Sequence, residues 1–130
     1  MSDPKTETAA VLDANQAFYG AMRKGDLQAM ERLWARGRRA TCTHPGGPAI
    51  VGRGPVIASW RMILTRHPPP ITAVDEHAVV TGNTAMVLCR EILGSEAPFI
   101  ELIATNTWTH ENGAWRIVNH QAAQIPGSSD

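Results

Sequence analysis

Two runs of different period predict an α+β domain in which three N-terminal helices pack on a strongly curved antiparallel or mixed sheet. Up to about residue 66 the apolar side chains recur at helical spacing, and from Ile71 onward the period drops to two while β-branched residues become frequent. The turn signals Gly82-Asn83, Gly94 to Pro98 and Asn112-Gly113 cut the second run into four strands joined as a meander. At 130 residues, 43% hydrophobic and 18% charged, the chain has the length of one domain and enough apolar content for a core. That domain is expected over 8–124, with a flexible N-terminus at 1–7 and a C-terminal tail at 125–130.

The first helix is expected over Thr8 to Lys24, because Val11, Leu12, Asn15, Phe18, Tyr19 and Met22 share one face and Gly25 ends the run. Asp26 is placed to cap a second, short helix carrying Leu27, Met30, Leu33 and Trp34, which Gly37 stops. Ala40 to His44 reads as a short strand. After the turn residues Pro45 to Pro48, a brief extended Ala49 to Val51 leads to Gly54, and Pro55 suits the first position of a third helix. Val56, Ile57, Trp60, Ile63 and Leu64 form that helix's apolar face, and Pro68 to Pro70 terminate it. The four strands follow at about 71–80, 84–93, 99–110 and 114–124. They are long for strands, so bends and bulges are expected. Strand 84–93 is apolar on both faces, Ala85, Val87 and Cys89 alternating with Met86, Leu88 and Ile92, which calls for a second cover such as a partner subunit.

The formal net charge is zero, but it is segregated: residues 23 to 66 sum to +7, and residues 67 to 130 to −5. Neutrality excludes a bulk polyelectrolyte role. The arginines of the basic half, Arg32, Arg36, Arg38 and Arg39, crowd a helix end and its exit without interleaved aromatics, so no nucleic acid is expected. Pairing of basic helices with the acidic sheet could settle part of the imbalance. No apolar run approaches the ~20 residues that cross a bilayer, so no membrane is expected. Cys42 and Cys89 lie far apart without metal-ligand spacing and read as reduced thiols. With no secretory signal pattern at Met1 to Lys5, the location expected is cytoplasmic, and the preference for Arg over Lys with abundant Ala suggests a GC-rich bacterial source.

Several ordered patterns carry a resemblance. They are Asn15-x-x-Phe18-Tyr19-x-Ala21, Gly25-Asp26 ahead of Leu33-Trp34, Cys42-x-His44-Pro45-Gly46, Gly52-x-Gly54 before Ser59-Trp60, and Trp108-x-His110-x-x-Gly113-x-Trp115-x-x-Val118-x-His120. Together they resemble the nuclear transport factor 2-like superfamily and its SnoaL-like domains, and are also similar to the association domain of calcium/calmodulin-dependent protein kinase II. The resemblance implies a cone-shaped fold whose bent sheet wraps the first helix, a pocket at the wide end, and often a homodimer through the outer sheet face. Members include isomerases, cyclases and hydrolases as well as association and transport domains, so the fold does not transfer a reaction.

Enzymes on this scaffold use a buried carboxylate, and here none stands out. Asp26 is a cap, Asp75 and Glu76 face opposite ways, Glu111 lies in a turn, and Glu91 and Glu101 remain: either could enter a pocket, with solvent or a salt bridge as the expected place. His44, at a strand end before Pro45-Gly46, is the catalytic candidate as general acid or base, with a local hydrogen bond as the alternative. On the last strand Trp115, Ile117, Asn119, Gln121 and Ala123 should share one face, a wall turning polar through Asn119 and Gln121, while Arg116, Val118, His120 and Ala122 share the other. Asn106 on an apolar strand face needs a protein or ligand partner. Tyr19, Trp60, Trp108 and Arg90 complete the expected ligand-binding set, Arg90 having Glu101 or Glu91 as an alternative partner. No cofactor and no metal are expected. The function expected is binding of a mostly apolar small molecule in a cavity above ~300 Å³. Cofactor-free isomerisation, cyclisation, dehydration or hydrolysis would be its chemistry, and a non-catalytic dimerisation or association domain is the alternative.

Overall fold

The computed structural model describes residues 4–125; what was expected of residues 1–3 and 126–130 lies outside them. Helix α1 spans Pro4–Lys24. Residues 4–7, expected to be loose, are therefore helical: proline is suited to the start of a helix, and Glu7 in the first turn favours the dipole. Its inward stripe, Val11, Asn15, Phe18, Tyr19 and Met22, is fully buried or nearly so. Gly25 turns the chain at a φ of 65°, where a side chain would also strike Pro68. Helix α2, Leu27–Leu33, is capped by Asp26, whose carboxylate accepts the Ala29 N–H at 3.1 Å. Strands β1, Thr41–Thr43, and β2, Ala49–Val51, form an antiparallel pair ahead of helix α3, Arg53–Arg66. Pro55 occupies the third position of α3 rather than the first; the first four N–H groups have no helical acceptor anyway, so its missing donor costs nothing there.

The meander comprises β3 (Ile71–Thr81), β4 (Thr84–Leu93), β5 (Ile100–Glu111) and β6 (Ala114–Gln124). The six strands lie in the order β2-β1-β6-β5-β4-β3, with β1 parallel to β6 and every other pair antiparallel, so the sheet is mixed and open. Two bulges bend it. On β3 the register steps from Val74 opposite Arg90 to His77 opposite Leu88, leaving Asp75 and Glu76 against Cys89, with Asp75 at a φ of 51°. On β6, Trp108 pairs with Ile117 and Thr107 with Asn119, so Val118 is the extra residue.

That second bulge overturns the expected phase of β6. Trp115 and Ile117 point inward, but beyond Val118 the inward positions are His120 and Ala122, while Asn119 and Gln121 face out. The core lies between α1 and the concave sheet, where Phe18 meets Trp34, Trp60 and Trp108 edge-on at 6.2, 5.6 and 6.4 Å. The convex face leaves Val79, Met86, Leu88 and Ile103 exposed. Ion pairs form inside each layer, Arg61 with Glu31 and Arg90 with Asp75 and Glu101, and the two layers meet where the Glu111 carboxylate accepts the backbone N–H groups of Arg36 and Gly37, each at 2.9 Å. Among the described residues no helix is long and apolar enough to cross a membrane, and Cys42 and Cys89 are buried free thiols.

Candidate functional site

Four elements aim polar side chains at one end of the core. Tyr19 comes from α1, Glu91 from β4 in phase with Ala85, Val87 and Cys89, Asn106 from β5, and His120 from β6 by virtue of the Val118 bulge. The Tyr19 hydroxyl donates to Glu91 Oε2 at 2.5 Å and lies 3.5 Å from Cys89 Sγ. Asn106 Nδ2 donates to the Tyr19 oxygen at 3.0 Å and to Asn15 Oδ1 at 2.9 Å, and Asn106 Oδ1 is 2.6 Å from His120 Nδ1. His120 Nε2 stands 4.0 Å from Glu91 Oε2. Asn15 Nδ2 donates at 2.6 Å to Glu76, whose other oxygen accepts from Gln16 at 2.6 Å.

Beside this network is a cavity of about 160 Å³, with Glu91, His120, His44 and Trp60 in its wall and Ile63 and Leu102 among its apolar residues. It is smaller than the ~300 Å³ expected of a drug-sized site and comparable with cavities that admit one benzene ring. His44 follows β1, stacks edge-on against Trp60 at 4.7 Å, and holds Ser59 Oγ at 2.9 Å through Nε2. Because the Ser59 hydroxyl donates to Val56 O at 2.7 Å, its oxygen accepts from His44, which puts the imidazole hydrogen on Nε2.

Burial dominates the electrostatics. Glu91 is 1% exposed, and desolvation pushes its carboxyl up to about 7 against the opposing pull of the Tyr19 hydrogen bond. His120 is driven down to about 3 by burial, with His44 nearby adding to the effect, and burial lowers His44 as well. Both imidazoles are therefore neutral at pH 7. Burial, reinforced by Glu91, raises the Tyr19 phenol, so it remains a donor. The thiols rise through burial to about 12 at Cys42 and about 11 at Cys89. Among the described residues no three His, Cys, Asp or Glu side chains converge as metal ligands.

Of the residues singled out from sequence, His44 and Trp60 line the cavity and Tyr19 reaches it through Glu91. Asn106 is fully buried and spends its amide on protein partners. Trp108 is core, packed against Phe18. Arg90 lies on the outer face and takes the bland alternative, bonding Asp75 at 2.7 Å and Glu101. Asn119 accepts from Thr41 Oγ1 at 2.9 Å outside the cavity, and Gln121 is exposed; the bulge removes both from the wall. Glu91 and His120 are the groups that the sequence left outside the expected site, Glu91 with solvent as its expected place and His120 on the opposite face of β6. The phase of Glu91 with three apolar residues was the available signal; for His120 there was none, since a one-residue bulge leaves no composition mark.

Residues 11–126 match the SnoaL-like domain family. F-box protein SKIP8 of Arabidopsis thaliana is 30% identical over 120 residues, 89% of this chain but 50% of that protein, so the chain spans about half the length of this curated relative. A crystal structure from Streptomyces avermitilis, a protein of the NTF2-like family for which dehydratase activity is suggested, superposes with a TM-score of 0.87 at 31% identity, covering 95% of this chain and 99% of that one. A Thiobacillus denitrificans structure, suggested to be a calcium/calmodulin-dependent protein kinase type II association domain, gives 0.73 at 29% identity over 86% and 92%.

Proposed function

This chain belongs to the SnoaL-like domain family, a scaffold that hosts both catalysis and association, and from that premise we propose that its cavity binds a small, mostly apolar molecule on which Glu91 moves a proton. The observation that carries this is a carboxyl 1% exposed, in a cavity wall, held near neutrality by burial. A base of that kind takes a proton from carbon when ionised and returns it when protonated, which serves isomerisation, cyclisation or dehydration without a cofactor. Tyr19 orients the carboxyl by donating to Oε2. His44, neutral at the same wall, is a second proton-handling group. The cavity volume limits the ligand to about one six-membered ring. The relative with a suggested dehydratase activity supports the reaction class. Small hydroxy and carbonyl compounds incubated in D2O and followed by NMR test it: Glu91→Gln should cut deuteration or olefin formation by about 100-fold or more, and an unchanged rate removes Glu91 from the chemistry.

A second reading rests on the convex face, where Met86 lies opposite Val79 and both are exposed together with Leu88 and Ile103. We propose that two copies of the chain cover one another there, as the association-domain relative supports. The two readings are compatible because the cavity opens inside the sheet. Light scattering of Ile103→Glu should return the mass of one chain where the parent returns two. A parent that is monomeric at high concentration sinks this reading.

A further inference from the structure

The network around Glu91 has a direction, and its direction is set at the surface. Both oxygens of Glu76 take amide N–H groups, and a carboxylate only accepts, so Asn15 must turn its Nδ2 toward Glu76 and its Oδ1 inward. Asn15 Oδ1 then requires Nδ2 of Asn106, which leaves Asn106 Oδ1 facing His120. Only a hydrogen on His120 Nδ1 satisfies that oxygen at 2.6 Å. Nε2 is thereby stripped of hydrogen. The same Asn106 Nδ2 donates to the Tyr19 oxygen, so the phenolic hydrogen is sent to Glu91.

At the end of this chain the cavity wall holds a bare imidazole nitrogen on a residue 3% exposed, 4.0 Å from Glu91 Oε2. Two hydrogen bonds of about 2.8 Å meeting at one oxygen span such a gap. A hydroxyl satisfies both ends: Glu91 in its protonated form donates to the hydroxyl oxygen, and the hydroxyl hydrogen goes to Nε2. A carbonyl oxygen could accept from Glu91 but would leave Nε2 unpaired, a loss that buried acceptors make expensive. An ammonium could donate to both groups, but it would carry a charge among Trp60, Ile63 and Leu102.

We infer that the cavity recognises the hydroxyl group of a small alicyclic or aromatic alcohol, bridged between Glu91 and His120, and that Glu76 is the positioning residue that makes His120 an acceptor. This rests on the cavity being a ligand site and adds the class of ligand. The test uses cyclohexanol, cyclohexanone and cyclohexylamine, matched in size, titrated at pH 6.5 into the intact chain while the Trp60 indole and His120 ring signals are followed by NMR. Cyclohexanol should bind about ten-fold tighter than either of the others. In the ligand-free protein the His120 nitrogen shifts should show a protonated Nδ1 and a bare Nε2.

Glu76→Lys gives Asn15 a donor and no acceptor, so the amides can turn over. Its His120 should show the Nε2–H form, and the preference for the alcohol should fall to about two-fold. Equal or tighter binding of the ketone or the amine overturns the hydroxyl assignment while leaving the ligand site standing. Binding of none of the three overturns the ligand site as well. A His120 tautomer that Glu76→Lys leaves unchanged overturns the positioning role, and Glu76→Asp, which keeps the acceptor, should show the parent tautomer.

Discussion

Arg90 and Glu91 are neighbours on β4, and the sheet treats their charges in opposite ways. Arg90 stands on the convex face among water and two carboxylates, Asp75 and Glu101, and those partners raise its already high affinity for a proton. Glu91 stands on the concave face with a phenol and a neutral imidazole for company, and burial brings its carboxyl to about 7. The convex pair is a contact that solvent can replace. The concave carboxyl cannot be rehydrated, so its proton becomes part of the folding equilibrium. Stability is coupled to a buried proton on one face of this sheet and independent of one on the other.

The largest break between the faces should come from the core. Trp108→Ala removes a fully buried ring and should cost about 3–5 kcal/mol in urea unfolding, whereas Ile103→Ala on the convex face should stay within about 0.5 kcal/mol when measured on the monomer. Comparable losses at both positions would mean that the convex face is packed in solution.

The second break is in pH dependence. Glu91 has its folded value raised, so the folded state holds the extra proton and stability falls as pH rises from about 4.5 to about 7. His120 has its folded value lowered to about 3, so the unfolded state holds the extra proton and stability is gained as pH rises from about 3 to 6.5. Between 4.5 and 6.5 the two oppose each other. Glu91→Gln removes the falling contribution, so its stability should climb more steeply than the parent's in that window, by about 1.4 kcal/mol per pH unit. Parallel profiles for parent and variant would show that Glu91 titrates normally. The smallest effect is expected at Arg90→Gln, which should leave both the urea midpoint and the pH profile unchanged; a shift there would mean that the ion pairs matter to the fold.

Much of this architecture was legible in the residues. Period 3.6 before Arg66 and period 2 after Ile71 locate the three helices and the four strands of the meander to within a few residues, the turn residues Pro45 to Pro48 set off the two short strands, and Asp26 caps α2 as its chemistry demands. Helix α1 begins earlier than its apolar stripe because Pro4 and Glu7 suit a first turn, which apolar spacing does not register. The site was less legible. Glu91 sits in phase with Ala85, Val87 and Cys89, but a carboxylate in such a position is ordinarily turned to water. Only the Tyr19 donor, brought from 72 residues away, makes burial tolerable.

Sequence alone determined which stretches are helix and which are strand, because those periods are properties of local geometry and need no knowledge of neighbours. It also determined that the strands would be long enough to require bending. Tertiary structure decided which side chains share the cavity. One extra residue at Val118 reverses the inward set of β6, exchanging Asn119 and Gln121 for Ala122 and His120, and pairing with β5 chose the point at which the strand gave way. Glu91 owes its raised carboxyl, His120 its bare nitrogen and Asn106 its place between them to contacts separated by 14 to 91 residues. Alternation along a strand says that a residue faces one of two sides; only the packed sheet says which side encloses a proton.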